Sequence, residues 1–312
     1  MVAMATAAPT PLRTAGVIAA DIKLHHSVFA LPFAVLAAFM AAPGSFQGAA
    51  TIDWSRFSGQ LALVVVAMVF ARTVAMLANR LLDRNIDQDN PRTAARALPS
   101  GQLSVRAALA VLCSSATGFM AVCLAFGVLY GNWWPAGLGL PVLAWLSLYP
   151  LLKRFTSLSH LHLGSSLAIS PLAAAIAVEP QAVFHQPALW LLAGMVLCWV
   201  AGFDIIYALQ DVEIDRQQGL FSMPMKLGTG GAMWVSRVLH TAAVVCLIAA
   251  AWLDPRFAWL FSIGVAVMFG LLTYEHLTVA RWGTTKIALA FFTINGVISC
   301  LLGALGVADI LL

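Results

Sequence analysis

The 312-residue chain is poor in charge: 13 Asp and Glu and 17 Lys and Arg make up only 10% of it. A soluble domain carries about 25% charged residues, so this sequence cannot cover a water-exposed globule, and a cytosolic protein is excluded. Positive charge is sparse too. The net charge is +4 and the longest basic run is Lys153-Arg154, far short of the basic face a nucleic-acid partner needs. Cysteine is scarce: Cys113, Cys123, Cys198, Cys246 and Cys300 are odd in number, lack a Cys-x-x-Cys pair and lie in apolar stretches. They read as small packing residues, with neither disulfides nor zinc. His160, His162, His185, His240 and His276 form no i,i+4 pair and give no reason to expect haem or zinc.

Apolar residues are what the chain has in excess, at 61% with a mean hydropathy of +0.90. Nine apolar segments reach about spanning length: 27–43, 61–78, 105–124, 133–150, 161–178, 188–206, 235–253, 258–273 and 287–305. Lipid admits only helices or closed barrels, and these runs are too long and uniform for barrel strands. The expected fold is all-α, a polytopic membrane helical bundle of about nine transmembrane helices. Residues 1–22 lack a continuous apolar core behind a basic start, so they read as a flexible cytoplasmic tail and not a signal peptide. Residues 23–312 read as a single intramembrane domain. With nine spans, 14 of the 17 Lys and Arg fall in the N-terminal tail and the even-numbered connections, against Arg56 and Arg256 on the other side and Arg72 inside a span. The positive-inside bias puts the N-terminus and those connections in the cytoplasm, at the inner membrane.

Two of these cytoplasmic connections are long, and they concentrate the acids. Seven of the 13 acidic residues are Asp83, Asp87, Asp89, Asp204, Asp211, Glu213 and Asp215. The first connection reads Asn79-x-x-x-Asp83-x-x-x-Asp87 and the second Tyr207-x-x-x-Asp211-x-x-x-Asp215, offset by 128 residues at all three positions. Spacing by four puts each trio on one helical face, and the shared offset suggests duplication of a helix-plus-loop unit. Like charges one turn apart repel, and a helix C-terminus disfavours anions. Divalent cations relieve both penalties: Mg²⁺ takes one or two carboxylates together with phosphate oxygens and water. Bases stand close by in Arg92-Thr-Ala-Ala-Arg96-Ala-Leu-Pro-Ser-Gly101, in Lys153-Arg154 and in Ser222-Met-Pro-Met-Lys226-Leu-Gly228. Arg72 lies seven residues before Asn79 within an apolar span, where an arginine marks a polar cavity.

The paired Asn-x-x-x-Asp-x-x-x-Asp and Tyr-x-x-x-Asp-x-x-x-Asp motifs, the Arg92–Gly101 loop and the helix count resemble the UbiA superfamily of intramembrane aromatic prenyltransferases. The resemblance spans nearly the whole chain. Residues 79–101, 149–156 and 204–228 look like its 4-hydroxybenzoate polyprenyltransferase branch, which attaches isoprenoid tails to quinone precursors. Arg80 departs from the pattern, since many relatives carry Asp there. The resemblance implies that Asp83, Asp87, Asp211 and Asp215 hold Mg²⁺ against the diphosphate of a polyprenyl donor. It also implies that Asn79 supports the first metal cluster and that Tyr207 sits near the breaking C–O bond. Arg92, Arg96, Lys153 and Lys226 are then the candidates for balancing diphosphate charge, and Arg72 for the carboxylate of the aromatic acid, with His25 and His26 as alternatives. The reaction expected is prenyl transfer to a 4-hydroxybenzoate-like acid in ubiquinone or menaquinone biosynthesis. A dihydroxynaphthoate or porphyrin-type acceptor, or a secondary transporter, are the other readings. Nothing in the sequence points to an obligate protein partner.

Overall fold

Long apolar runs bounded by capping residues become long helices. In the computed structural model, which describes residues 16, 17, 21, 29–42, 52–287 and 289–312, the described residues contain helices and no strand. The nine principal helices are α1 (Leu31–Ala41), α2 (Trp54–Leu82), α3 (Val105–Tyr130), α4 (Trp134–Leu152, bent at Leu148), α5 (Ser159–Val178), α6 (Pro187–Ala208), α7 (Met223–Leu253), α8 (Trp259–Trp282) and α9 (Asn295–Leu311). Eight of them are long and apolar enough to cross a bilayer. The first expected span appears as the 11-residue α1, and part of its sequence, together with nearly all of the expected tail 1–22, lies outside the described residues. Asp21, from that tail, pairs with Arg80 at 3.1 Å.

Local chemistry sets the helix ends. Asp53 accepts hydrogen bonds from the amides of Ser55 and Arg56 to start α2, and Ser104 does so from Ala107 to start α3; each satisfies donors that a helix start leaves open. Gly131 ends α3 at φ 73°, a left-handed conformation that favours glycine. Ser222 and Pro224 start α7 twelve residues earlier than hydropathy suggests, because Gly228 (φ 67°, ψ 173°) kinks the helix and the polar first turn hides it.

Helix α6 is the centre of the bundle, packed between α5 and α7. Small residues allow the close approach: a Cβ on Gly164 of α5 would collide with the Leu197 carbonyl of α6, and one on Gly202 of α6 with the His240 ring of α7. Outward faces stay apolar, as lipid contact demands. Trp54, Trp133, Trp134, Trp190, Trp252 and Trp259 are all exposed and lie at the ends of α2, α3, α4, α6, α7 and α8 remote from the two acidic connections. Such a tryptophan belt marks a membrane interface.

Candidate active site

The chain resolves its conflict between aspartates and helix dipole by breaking the helix at the first aspartate of each motif. Helix α2 stops at Leu82, Asp83 takes φ −93°, ψ 5°, and a new short helix runs Arg84–Asp89. In the same way α6 stops at Ala208, Asp211 takes φ −105°, ψ 0°, and a short helix runs Val212–Gln217. Asp87 and Asp215 then lie in the first turns of the short helices, where the dipole favours an anion. The expected continuous extension of α2 and α6 is thus replaced by a break, with the i,i+4 relation preserved through Asp87 N–H to Asp83 O (2.7 Å) and Asp215 N–H to Asp211 O (2.8 Å).

The two connections fold against each other. Arg92 crosses from the first to the second: its guanidinium donates to both carboxylate oxygens of Asp211 (3.0 and 2.7 Å) and to the Tyr207 hydroxyl (3.1 Å). The Gln218 amide donates to the Ile86 carbonyl (3.0 Å). Arg96 donates to both oxygens of Asp87 at 2.7 Å, and Lys153 donates to Asp83 Oδ2. Together these residues wall a polar cleft of about 180 Å³ lined by Asn79, Asp83, Asp87, Arg92, Arg96, Lys153, Tyr207, Asp211 and Asp215.

Three of the four aspartates therefore each hold a base. Burial, with Asp87 adding to it, raises the Asp83 carboxyl above its ordinary range despite Lys153. Burial likewise raises Asp215 against the hydrogen bond from Ser222. For Arg92, burial opposes the charge, but Asp211 and Tyr207 outweigh it and the guanidinium is held above its usual value.

A second cavity of about 570 Å³ runs between α2, α3, α4 and α5. Its walls are apolar, with Val64, Met68, Phe119, Phe126, Leu138 and Leu167 among them. Arg72 lines this apolar cavity and not the polar cleft, as an intramembrane base facing a cavity should. The two spaces meet, since Asn79, Tyr149, Asp204 and Tyr207 line both.

The sequence profile of the UbiA prenyltransferase family matches residues 30–297. The chain belongs to this family. It is a prenyltransferase and an integral membrane protein. It is 28% identical over 231 residues to the 4-hydroxybenzoate octaprenyltransferase of Francisella tularensis subsp. novicida (strain U112), covering 74% of this chain and 78% of that one. The enzyme of the same name from Hydrogenovibrio crunogenus is 29% identical over 219 residues, 69% of this chain and 72% of its own. Among solved structures, an apo UbiA homolog from Aeropyrum pernix K1 superposes with a TM-score of 0.78 at 29% identity, covering 92% of this chain and 98% of that one. An Archaeoglobus fulgidus UbiA homolog bound to GPP and Mg²⁺ has the same fold, with a TM-score of 0.68 at 19% identity over 95% of this chain and all of its own.

For a UbiA-family cleft, the donor set suits a hard cation. It offers four carboxylates, hard oxygen ligands of the kind Mg²⁺ takes, and Asp83 Oδ1 is buried with no hydrogen-bond partner among the described residues. Among the described residues no three His, Cys, Asp or Glu converge as a metal cage.

Of the sequence-derived candidates, one is corrected. Lys226 is exposed in the first turn of α7 and does not line the cleft, because the early start of that helix carries it away. His25 and His26 lie outside the described residues. Sequence reasoning passed over Tyr149, His160, Gln218 and Ser222, and counted Asp204 without a role. Spacing held a signal for two of them. Tyr149 precedes Lys153 by four, and Asp204 precedes Asp211 by seven, as Arg72 precedes Asn79. His160, which has no i,i+4 histidine partner in the sequence, meets a carboxylate in three dimensions: its Nδ1 lies 2.7 Å from Asp204 Oδ2.

Proposed function

We propose that this UbiA-family enzyme transfers a polyprenyl group from a polyprenyl diphosphate to a small hydroxylated aromatic acid resembling 4-hydroxybenzoate, in a Mg²⁺-dependent step of quinone biosynthesis. The observation that carries the reading is the junction itself: a polar cleft walled by both acidic motifs opens through four residues onto an apolar cavity. A diphosphate with a prenyl tail has that same division of polarity. The relatives from Francisella tularensis and Hydrogenovibrio crunogenus, each a 4-hydroxybenzoate octaprenyltransferase, support the acceptor class.

Asp83, Asp87, Asp211 and Asp215 are the residues that would hold Mg²⁺, with Asn79 beside the first pair. When bound, the ion supplies Lewis-acid stabilisation of the leaving diphosphate. Arg92, Arg96 and Lys153 exchange their aspartates for diphosphate oxygens, giving charge-assisted hydrogen bonds to the leaving group. Tyr207 sits at the neck, with its hydroxyl bonded by Arg92 and its ring facing Phe292 at 6.4 Å between centroids, near the carbon that becomes cationic. The apolar walls exclude water from that cation. Arg72, two turns above Asn79, pairs the acceptor's carboxylate. The cleft opens to the cytoplasm, the N-terminus lies on the same side, and the host is the inner membrane.

The test is an assay of purified protein with Mg²⁺, a panel of prenyl diphosphates and a panel of aromatic acids, read by mass spectrometry. A prenylated hydroxybenzoate that vanishes on chelation is expected. Pyrophosphate release with no adduct on any aromatic acid would overturn the reading.

A further inference from the structure

The neck between the two cavities is built from Asn79, Tyr149, Asp204 and Tyr207. With diphosphate in the polar cleft and tail in the apolar cavity, the donor's first carbon lies at this neck, and so does the ring carbon that attacks it. That ring carbon must lose its hydrogen as a proton. An amide and two phenols are poor acceptors, and Asp204 is the carboxylate among the four.

Asp204 is held for such a task. It is buried, with its side chain 10% exposed, and it sits on α6 one turn before Tyr207. The Met223 amide N–H donates to His160 Nε2 (3.3 Å), so that nitrogen carries no proton and the ring hydrogen sits on Nδ1. Nδ1–H therefore donates to Asp204 Oδ2 at 2.7 Å. Three elements, the start of α5, the end of α6 and the start of α7, thus fix one carboxylate oxygen. The other, Oδ1, has no protein hydrogen bond among the described residues.

We propose that Asp204 is the base that removes the ring proton, and that His160 is the positioning residue that aims it; this deepens the aromatic prenyl transfer proposed above and rests on it. The donor's C1–O bond breaks and its electron pair leaves with the diphosphate. A ring π pair forms the new C–C bond beside the hydroxyl. The C–H bond at that carbon then breaks, its pair restores aromaticity, and the proton passes to Asp204 Oδ1 and out through the polar cleft. The rival base is the departing diphosphate itself.

Asp204→Asn keeps the shape and an acceptor for His160 but removes the base. With Mg²⁺, geranyl diphosphate and 4-hydroxybenzoate deuterated at carbons 3 and 5, kcat for the prenylated acid falls about 100-fold, the range of general base catalysis. A normal primary isotope effect absent from the wild type appears. The KM for geranyl diphosphate is unchanged, and pyrophosphate release with geraniol formation outpaces the adduct. His160→Leu shows the same isotope effect with a smaller loss, and His160→Gln, which keeps an N–H donor, recovers part of it. The assignment is overturned by a kcat for Asp204→Asn within a few-fold of wild type, which returns the proton to the diphosphate. It is also overturned if pyrophosphate release falls in step with product and no isotope effect appears, which makes Asp204 a donor-binding group. If the wild type prefers a different aromatic acid, that acid deuterated beside its hydroxyl replaces the probe. A changed acceptor thus revises the substrate reading and leaves this test intact.

Discussion

Asp83 is 1% exposed; Lys153 donates to one oxygen, and the Arg154 guanidinium lies 3.6 Å from the other, which is buried without a hydrogen bond. A buried carboxylate keeps its charge only beside cations, and in the proposed function Mg²⁺ joins these bases at Asp83. Asp83→Ala or Asp211→Ala is therefore expected to abolish turnover while the protein still inserts in the membrane, measured by product formation and membrane-fraction blots. Near-native activity in either variant would contradict the metal assignment. Arg92 grips Asp211 through two nitrogens and Tyr207 through a third, a fork that lysine cannot reproduce. Arg92→Lys is expected to raise the KM for the prenyl diphosphate and leave that for the aromatic acid unchanged.

The raised carboxyls also set a pH response. Asp83 and Asp215 keep their protons to higher pH than a solvated aspartate, chiefly through burial, while Mg²⁺ binds only the ionised form. For such a group, folding stability is fully present below the unfolded pKa, about 3.9 for Asp, and is lost as pH rises through the higher folded pKa. In the metal-free protein the charges are thus a cost near neutrality, one that the proposed cation would offset. The Mg²⁺ concentration for half-maximal activity is expected to climb as pH is lowered from neutral, beginning above the ordinary aspartate range. An activation constant that stays flat to that range would show that burial does not govern these ligands.

At the scale of elements, the two motifs share more than spacing. In each, a first aspartate precedes the new short helix with nearly the same dihedrals, −93°, 5° at Asp83 and −105°, 0° at Asp211, in the sparsely used bridge region, although α6 ends three residues before Asp211 and α2 directly at Asp83. The offset of 128 residues in sequence therefore carries through to the backbone, which strengthens the inference of a duplicated unit. The central helix depends on glycine at its two close contacts. Gly164→Val would drive a side chain into the Leu197 carbonyl and is expected to destabilise by about 1–3 kcal/mol as overpacking. A thermal shift in detergent checks it, against Gly137→Ala, whose Cβ meets nothing within 4 Å.

For the molecule as a whole, polarity is arranged by end. Six of the nine exposed tryptophans, Trp54, Trp133, Trp134, Trp190, Trp252 and Trp259, lie at one end of the bundle and the acidic connections close the other, the end proposed above to face the cytoplasm. An alkaline-phosphatase fusion after Gly228 is expected to show no periplasmic activity, and strong activity there would overturn the proposed orientation.

Composition and periodicity were enough to determine the solvent, the helical class, eight of the nine expected spans and the two spaced aspartate pairs, because hydropathy and i,i+4 spacing are local properties written along the chain. The family resemblance rested on the same local motifs. Tertiary structure alone decided which charges meet. Lys153 reaches Asp83 across 70 residues, Arg92 reaches Asp211 across 119, and His160 reaches Asp204 across 44. Lys226, four residues from the cap of its helix, is exposed and does not line the cleft that Ser222 lines. Such partnerships depend on where α2, α4, α5, α6 and α7 end relative to one another, which is set by helix packing, with Gly164 and Gly202 admitting the close approach of α5, α6 and α7, and not by any spacing in the sequence.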